Sequence, residues 1–208
     1  MVLTKDELFQ GLRKWPTPER KLEFLDKELK IDMPLDVKLA ALIARAEVYL
    51  EKRWPNLAAR DYCYAASLAT TFKEQYELWF KGASTYVKAD EYINADDAFK
   101  KVMILEIEKD RPKLKEKIIQ IYFDKALQHE KERKQAKAIT TYLKMLTFNF
   151  KFERKDEIYD RLIRLYEALG NPREATKIKE QKEKAKFQQE PAPVKKEEST
   201  IRADELFR

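Results

Sequence analysis

The sequence predicts an all-α protein built as an array of antiparallel helix hairpins. Two observations carry this. Glycine is nearly absent, with only Gly11, Gly82 and Gly170 in 208 residues. A chain that avoids the residue most costly in helix interiors, and most useful in tight strand turns, reads as helical. Second, a pattern recurs four times. A small or apolar residue is followed three positions on by a ring, at Ala46/Tyr49, Ala83/Tyr86, Ala126/His129 and Ile163/Tyr166. Each ring is followed nine positions later by alanine, at Ala58, Ala95, Ala138 and Ala175. In three copies a further ring lies four residues on (Tyr62, Phe99, Tyr142), and Lys179 takes that place in the fourth. Small and aromatic residues so spaced are the contact positions of paired helices that stack on copies of themselves.

Two short helices are expected to open the chain (residues 1–34). One runs from about Lys5 to Arg13 with Thr4 as N-cap; the other runs from about Pro18 to Leu29, with Thr17 as N-cap and Pro18 at the first helical position. Trp15-Pro16 breaks between them, and Asp32-Met33-Pro34 separates them from the repeats (residues 35–186). The first repeat begins near Leu35, places Leu39, Leu42, Ala46 and Tyr49 on one face, and turns at Arg53-Trp54-Pro55-Asn56. The second carries Trp79, Gly82, Ala83 and Tyr86, then Ala95, Phe99 and Val102. The third carries Tyr122, Ala126 and His129, then Ala138, Tyr142 and Met145. The fourth carries Tyr159, Leu162, Ile163 and Tyr166, turns at Gly170-Asn171-Pro172, and continues with Ala175 and Ile178. Equivalent small positions lie 37, 43 and 37 residues apart (Ala46, Ala83, Ala126, Ile163), so some loops and helices exceed the repeat's minimum. The last helix turns polar at Lys177-Ile178-Lys179-Glu180-Gln181-Lys182, as a solvent-facing end of an array requires. Residues 187–208 read as a flexible tail: QQEPAPVKKEEST has no apolar periodicity, and IRADELFR after it is more apolar.

These residues resemble the tetratricopeptide repeat, whose pattern is W-x2-L-G-x2-Y, then A-x3-F, then proline. The clearest copy is Trp79-x2-Gly82-Ala83-x2-Tyr86 with Ala95-x3-Phe99; Tyr122-x2-Lys125-Ala126 and Tyr159-x2-Leu162-Ile163 are looser. The resemblance spans about Leu35 to Ala185 and departs from the pattern at His129 and Lys179. It implies a right-handed superhelix whose first helices line a concave groove that binds extended peptides or helices. The groove positions it implies are Phe80, Ser84, Val87 and Lys88, then Phe123 and Leu127, then Arg164, an apolar strip edged by charge. Such a strip suits an amphipathic segment.

Composition bounds the remaining classes. Forty-three basic against 37 acidic residues give a formal charge of +6, with both signs interspersed, which is the pattern of a solvated surface. Cys63 is the only cysteine, which excludes an intrachain disulfide and fits a reducing compartment. MVLTKDELFQ lacks the apolar run of a secretory signal, and a stretch such as Ala40–Ala44 is far too short to span a bilayer. A cytoplasmic protein without membrane insertion is expected. Cys63 and His129 lie two repeats apart and read as packing residues rather than a nucleophile–base pair. One His and one Cys are too few for a structural zinc site, and no phosphate-binding glycine loop exists. No catalytic residue, metal site or cofactor is expected.

The sequence therefore points to a non-enzymatic interaction adaptor or assembly scaffold whose partner is a protein. The alternatives are an RNA-binding repeat protein, using the basic runs Lys109–Lys115 and Lys177–Lys186, or a structural subunit of a larger complex. Asp204-Glu205-Leu206-Phe207 repeats Asp6-Glu7-Leu8-Phe9 near the other end. With Ile201, these residues form a short linear motif on a tether, suited to self-association or to recruiting a partner.

Overall fold

The computed structural model describes residues 4–148 and 152–187, and among these it is helical throughout, with ten helices and no strand. The chain divides into two compact units, Met1–Met145 and Leu146–Arg208, so the helices of residues 35–186 fall in both.

The first unit begins with α1 (Lys5–Arg13) and α2 (Pro18–Glu28). Thr4 caps α1: its hydroxyl accepts from the Glu7 amide at 3.3 Å, while the Glu7 carboxylate accepts from the Thr4 amide at 2.8 Å. This reciprocal box satisfies two of the donors that a helix start leaves open. Thr17 stands at the α2 N-cap, but its side chain makes no capping bond. Both helices pack on α3 (Leu35–Glu51). Leu8, Leu22 and Leu25 join a core with Val37, Ala41, Leu42, Ala46 and Tyr49, and Tyr62 of α4 (Pro55–Leu68) closes it. Next come α5 (Phe72–Lys88) with α6 (Tyr92–Leu105), and α7 (Arg111–Lys131) with α8 (Gln135–Leu146). The second unit contains α9 (Phe152–Ala168) packed on α10 (Pro172–Phe187). Ile158, Leu162, Ala175 and Ile178 are buried there.

Backbone hydrogen bonds fix the repeat register. The amides of Trp54, Glu91, Lys134 and Asn171 reach back to the carbonyls of Tyr49, Tyr86, His129 and Tyr166 at 2.8, 3.0, 2.8 and 2.9 Å. This bond closes a helix C-terminus over a residue in left-handed conformation. That residue is Arg53 (φ 59°), Asp90 (φ 65°), Arg133 (φ 58°) and Gly170 (φ 69°) in turn. The four turns therefore recur at the spacing of the sequence pattern, and His129 occupies the place that tyrosine holds in the other three. The amides of Ala58, Ala95, Ala138 and Ala175 then open the second helices on the carbonyls of Trp54, Glu91, Lys134 and Asn171.

The longer interval has a simple origin. Helices α3, α5 and α9 each have 17 residues, while α7 has 21. The α6–α7 link, residues 106–110, is also two residues longer than the α4–α5 link, residues 69–71. Arg111 holds that longer link in place: its Nε donates to the carbonyls of Met103 (3.1 Å) and Glu106 (3.3 Å), which α6 leaves open at its end.

Candidate partner-binding faces

The expected groove residues separate by burial. Val87 is 1% exposed and Phe123 7%, so both are core residues of the first unit. Phe123 lies edge-on to Tyr142 with centroids 6.0 Å apart. Helix α7 packs on both α5 and α6, and its rings also meet α8, so neighbouring positions on α7 are covered from different sides. Tyr122 and Phe123 are buried together for that reason. Phe80 is half-buried, stacked on Tyr76 (6.3 Å, 7°) and edge-on to Phe99 (5.9 Å). Ser84 spends its hydroxyl on the Phe80 carbonyl at 2.8 Å. Leu127 is half-buried and Lys88 exposed. Arg164 is exposed in the second unit, its Nε donating to the Asp160 carbonyl at 3.3 Å. Of the expected positions on α5 and α7, Phe80, Ser84 and Leu127 thus remain half-buried and Lys88 exposed. The tail residues Ile201, Asp204, Glu205, Leu206 and Phe207 lie outside the described residues.

Beside this face the hairpins are joined by ionic contacts that periodicity does not reveal. Asp90, at the α5–α6 turn, receives Lys125 at 3.0 Å, Lys137 at 2.6 Å and His129 Nε2 at 2.8 Å. Lys125 also donates to the Lys88 carbonyl at 2.7 Å, tying α7 to the end of α5. Desolvation opposes the charge on Asp90, but its bonds from Lys137, Lys125 and His129 prevail and pull the carboxyl down to about 2. An ionised carboxylate can only accept, so His129 is the Nε2–H tautomer. Its buried Nδ1 has no hydrogen-bond partner. Burial holds the imidazole below its ordinary value, against the pull of Asp90. A second junction joins the same two hairpins, α5–α6 and α7–α8. Buried Tyr122 donates to Asp96 at 2.7 Å, Lys144 pairs with the same carboxylate, and Tyr92 and Thr141 share a hydrogen bond of 2.6 Å.

Cys63 and His129 serve separate contacts. Cys63 lies on α4 against Gly82 of α5, where a Cβ on Gly82 would meet its sulfur at 2.4 Å. Burial pushes the thiol up to about 12, the reverse of what a nucleophilic thiolate needs. Among the described residues no cluster of three or more His, Cys, Asp or Glu side chains could hold a metal. No described helix is long and apolar enough to cross a membrane.

The other end of the first unit holds a cavity of about 330 Å³ between α2, α3 and α4, lined by Asp26, Leu29, Lys30, Lys38, Leu42, Arg45 and Tyr64. Arg45 is its back wall. The guanidinium bonds Asp61 through Nε (2.6 Å) and another nitrogen (3.0 Å), and Asp26 at 2.7 Å, joining three helices. Asp61 is 2% exposed. Desolvation works against the Arg45 charge, but the two carboxylates more than offset it and raise its pKa.

No protein-family model matches the chain, and no curated protein does. Solved structures similar to it include the following three. A MamA protein structure is 22% identical, with 91% of this chain and 96% of that one covered, at a TM-score of 0.40. A second MamA structure is 20% identical over 90% and 99%, with a TM-score of 0.38. BtubC (BKLC) from P. vanneervenii is 14% identical over 91% and 80%, with a TM-score of 0.33.

Proposed function

We propose that this chain is a non-enzymatic, cytoplasmic interaction scaffold of the tetratricopeptide-like kind, which docks a peptide or amphipathic helix of a protein partner on the first helices of its hairpins. The observation that carries this reading is the α5–α7 face. It pairs half-buried apolar groups, Phe80 and Leu127, with the exposed charge of Lys88, on two helices that pack on one another. An amphipathic partner meets apolar surface with apolar surface and charge with charge there. The tail residues Ile201, Asp204, Glu205, Leu206 and Phe207 form a second recognition element, a docking peptide for self-association or for a separate partner.

The RNA-binding alternative is disfavoured by what the basic runs do. Arg111 is spent on the end of α6, and Lys113 pairs with Asp110 at 3.2 Å. In α10, Lys177 pairs with Glu174 at 2.6 Å, and Lys182 with Asp156 and Asp160 at 3.0 and 2.7 Å.

The test is site-specific photo-crosslinking in the native cell from positions 88 and 127, with position 100 on α6 as control, followed by mass spectrometry. The expected outcome is one protein crosslinked from 88 and 127 and not from 100, lost when Lys88→Glu is combined with Leu127→Ser. Equal crosslinking from all three positions sinks the assignment of the face. Crosslinks to RNA, with binding that falls steeply with salt, sink the protein-partner reading.

A further inference from the structure

We propose that the cavity between α2, α3 and α4 is a separate recognition site, which takes an acidic peptide of a protein partner with one aromatic or large aliphatic side chain as its anchor. The site lies on other helices than the α5–α7 face, and either can fail without the other. At about 330 Å³ the cavity is close to the smallest ligand pockets, which start at about 300 Å³, so it holds one bulky side chain rather than a whole helix. Its apolar lining is Leu42, 1% exposed, and half-buried Leu29, and Tyr64, 45% exposed, stands as an open aromatic wall. A ring or branched aliphatic group placed there removes that apolar surface from water.

The charges decide what lies beside the anchor. Arg45 is spent on Asp61 and Asp26, at 2.6 and 2.7 Å, and Asp26 is spent on Arg45 in turn. Exposed Lys30 and half-buried Lys38 have no carboxylate partner among the described residues. Lys38 instead lies over the Tyr64 ring, its ammonium 5.9 Å from the centroid. A cation held by a ring face keeps its N–H donors for a carboxylate. With Asp61 counted, three cations meet two carboxylates, so the cavity carries one positive charge in excess. Asp or Glu next to the anchor completes the pairing that the protein leaves open, whereas Lys or Arg there is repelled. Leu42 lies inside and Lys30 at the surface, so the ligand reaches from the interior to the rim, as a side chain and its neighbours along a peptide do.

The experiment pans a phage library of random dodecapeptides against the full-length chain. Enriched peptides are then labelled with fluorescein and titrated by anisotropy. The expected set carries an aromatic or large aliphatic residue with Asp or Glu within two positions, and its binding weakens with salt. Lys30→Glu with Lys38→Glu should weaken that binding about tenfold, because each favourable exposed pair becomes a repulsion. Tyr64→Ala should weaken it as well, giving an uncharged check on the site. Lys115→Glu with Lys117→Glu, exposed on α7, makes the same change in net charge and should leave it unchanged. Circular dichroism of each variant should match the wild type. The proposal is overturned if no peptide is enriched, if the enriched peptides lack the acidic–apolar pairing, or if their binding ignores both the Lys30/Lys38 reversal and Tyr64→Ala. Equal weakening by the Lys115/Lys117 reversal overturns it too, since net charge alone would then account for the effect.

Discussion

The contact between the first two hairpins depends on one missing methyl group. Gly82 on α5 faces α4, where an added Cβ would lie 2.4 Å from Cys63 Sγ and 3.3 Å from both the Ala59 carbonyl oxygen and the Cys63 amide nitrogen. Substitution Gly82→Ala brings two opposed effects. Alanine favours the helix by about 0.5–1 kcal/mol. Forcing a methyl group into a packed contact costs roughly 1–3 kcal/mol. The second effect should win, leaving a net loss of about 0.5–2 kcal/mol. The two backbone contacts need give only a few tenths of an ångström, so the sulfur is the real obstacle. Hence Gly82→Ala should become neutral or stabilising in a Cys63→Ala background, with a coupling of about 1–2 kcal/mol in the double-mutant cycle. All three tryptophans, Trp15, Trp54 and Trp79, belong to the first unit, so urea unfolding followed by tryptophan fluorescence isolates it. A Gly82→Ala protein as stable as the wild type, or a cycle without coupling, would show that α4 and α5 do not approach as described.

Other parts of the first unit make comparable predictions. His129 and Asp90 both hold their protons less tightly when folded than their ordinary values of 6.5 and 3.8. The unfolded chain therefore binds more protons on acidification, and stability should fall as pH drops below about 6.5 and again between about 4 and 2. Denaturation followed against pH should lose the upper step in His129→Gln and keep the lower one; a flat profile through both ranges refutes the network. Arg45→Ala leaves Asp61 buried without its partner and should cost about 3–5 kcal/mol in urea unfolding. Asp26→Ala should cost less than about 1 kcal/mol, because its side chain is 48% exposed; equal losses would mean that Arg45 is not held mainly by Asp61. Arg53→Gly and Arg133→Gly relieve left-handed backbone at exposed turns and should each raise stability by about 0.5–1 kcal/mol; a loss at both would contradict the turn geometry.

The register was legible because it rests on local spacing. Nine residues from ring to alanine is the span from the last turn of one helix, through a left-handed turn residue, into the first turns of the next. Any sequence that keeps this span shows it without a structure. His129 could be placed in the tyrosine slot by spacing alone. Its bond to Asp90 could not, because the partner is 39 residues away. The same limit hid Arg45–Asp61 and Asp96–Tyr122. In a chain that is 38% charged, every carboxylate has a cation within a helical turn, so nothing local separates a paired group from a solvated one.

Phe123 and Val87 show where periodicity itself fails. Assigning them to an open face assumes that a helix buries one stripe. That holds for a helix packed on a single neighbour. Helix α5 packs on α4, α6 and α7, and α7 packs on α5 and α6 while Phe123 meets α8. The buried arc then widens until adjacent residues, about 100° apart, are both covered. Sequence spacing fixes which positions share a face but not how many neighbours that face has. The docking surface we propose is accordingly narrower and more polar at its edges than the spacing suggests: of the expected positions it keeps half-buried Phe80, Ser84 and Leu127 and exposed Lys88, and loses Val87 and Phe123 to the core.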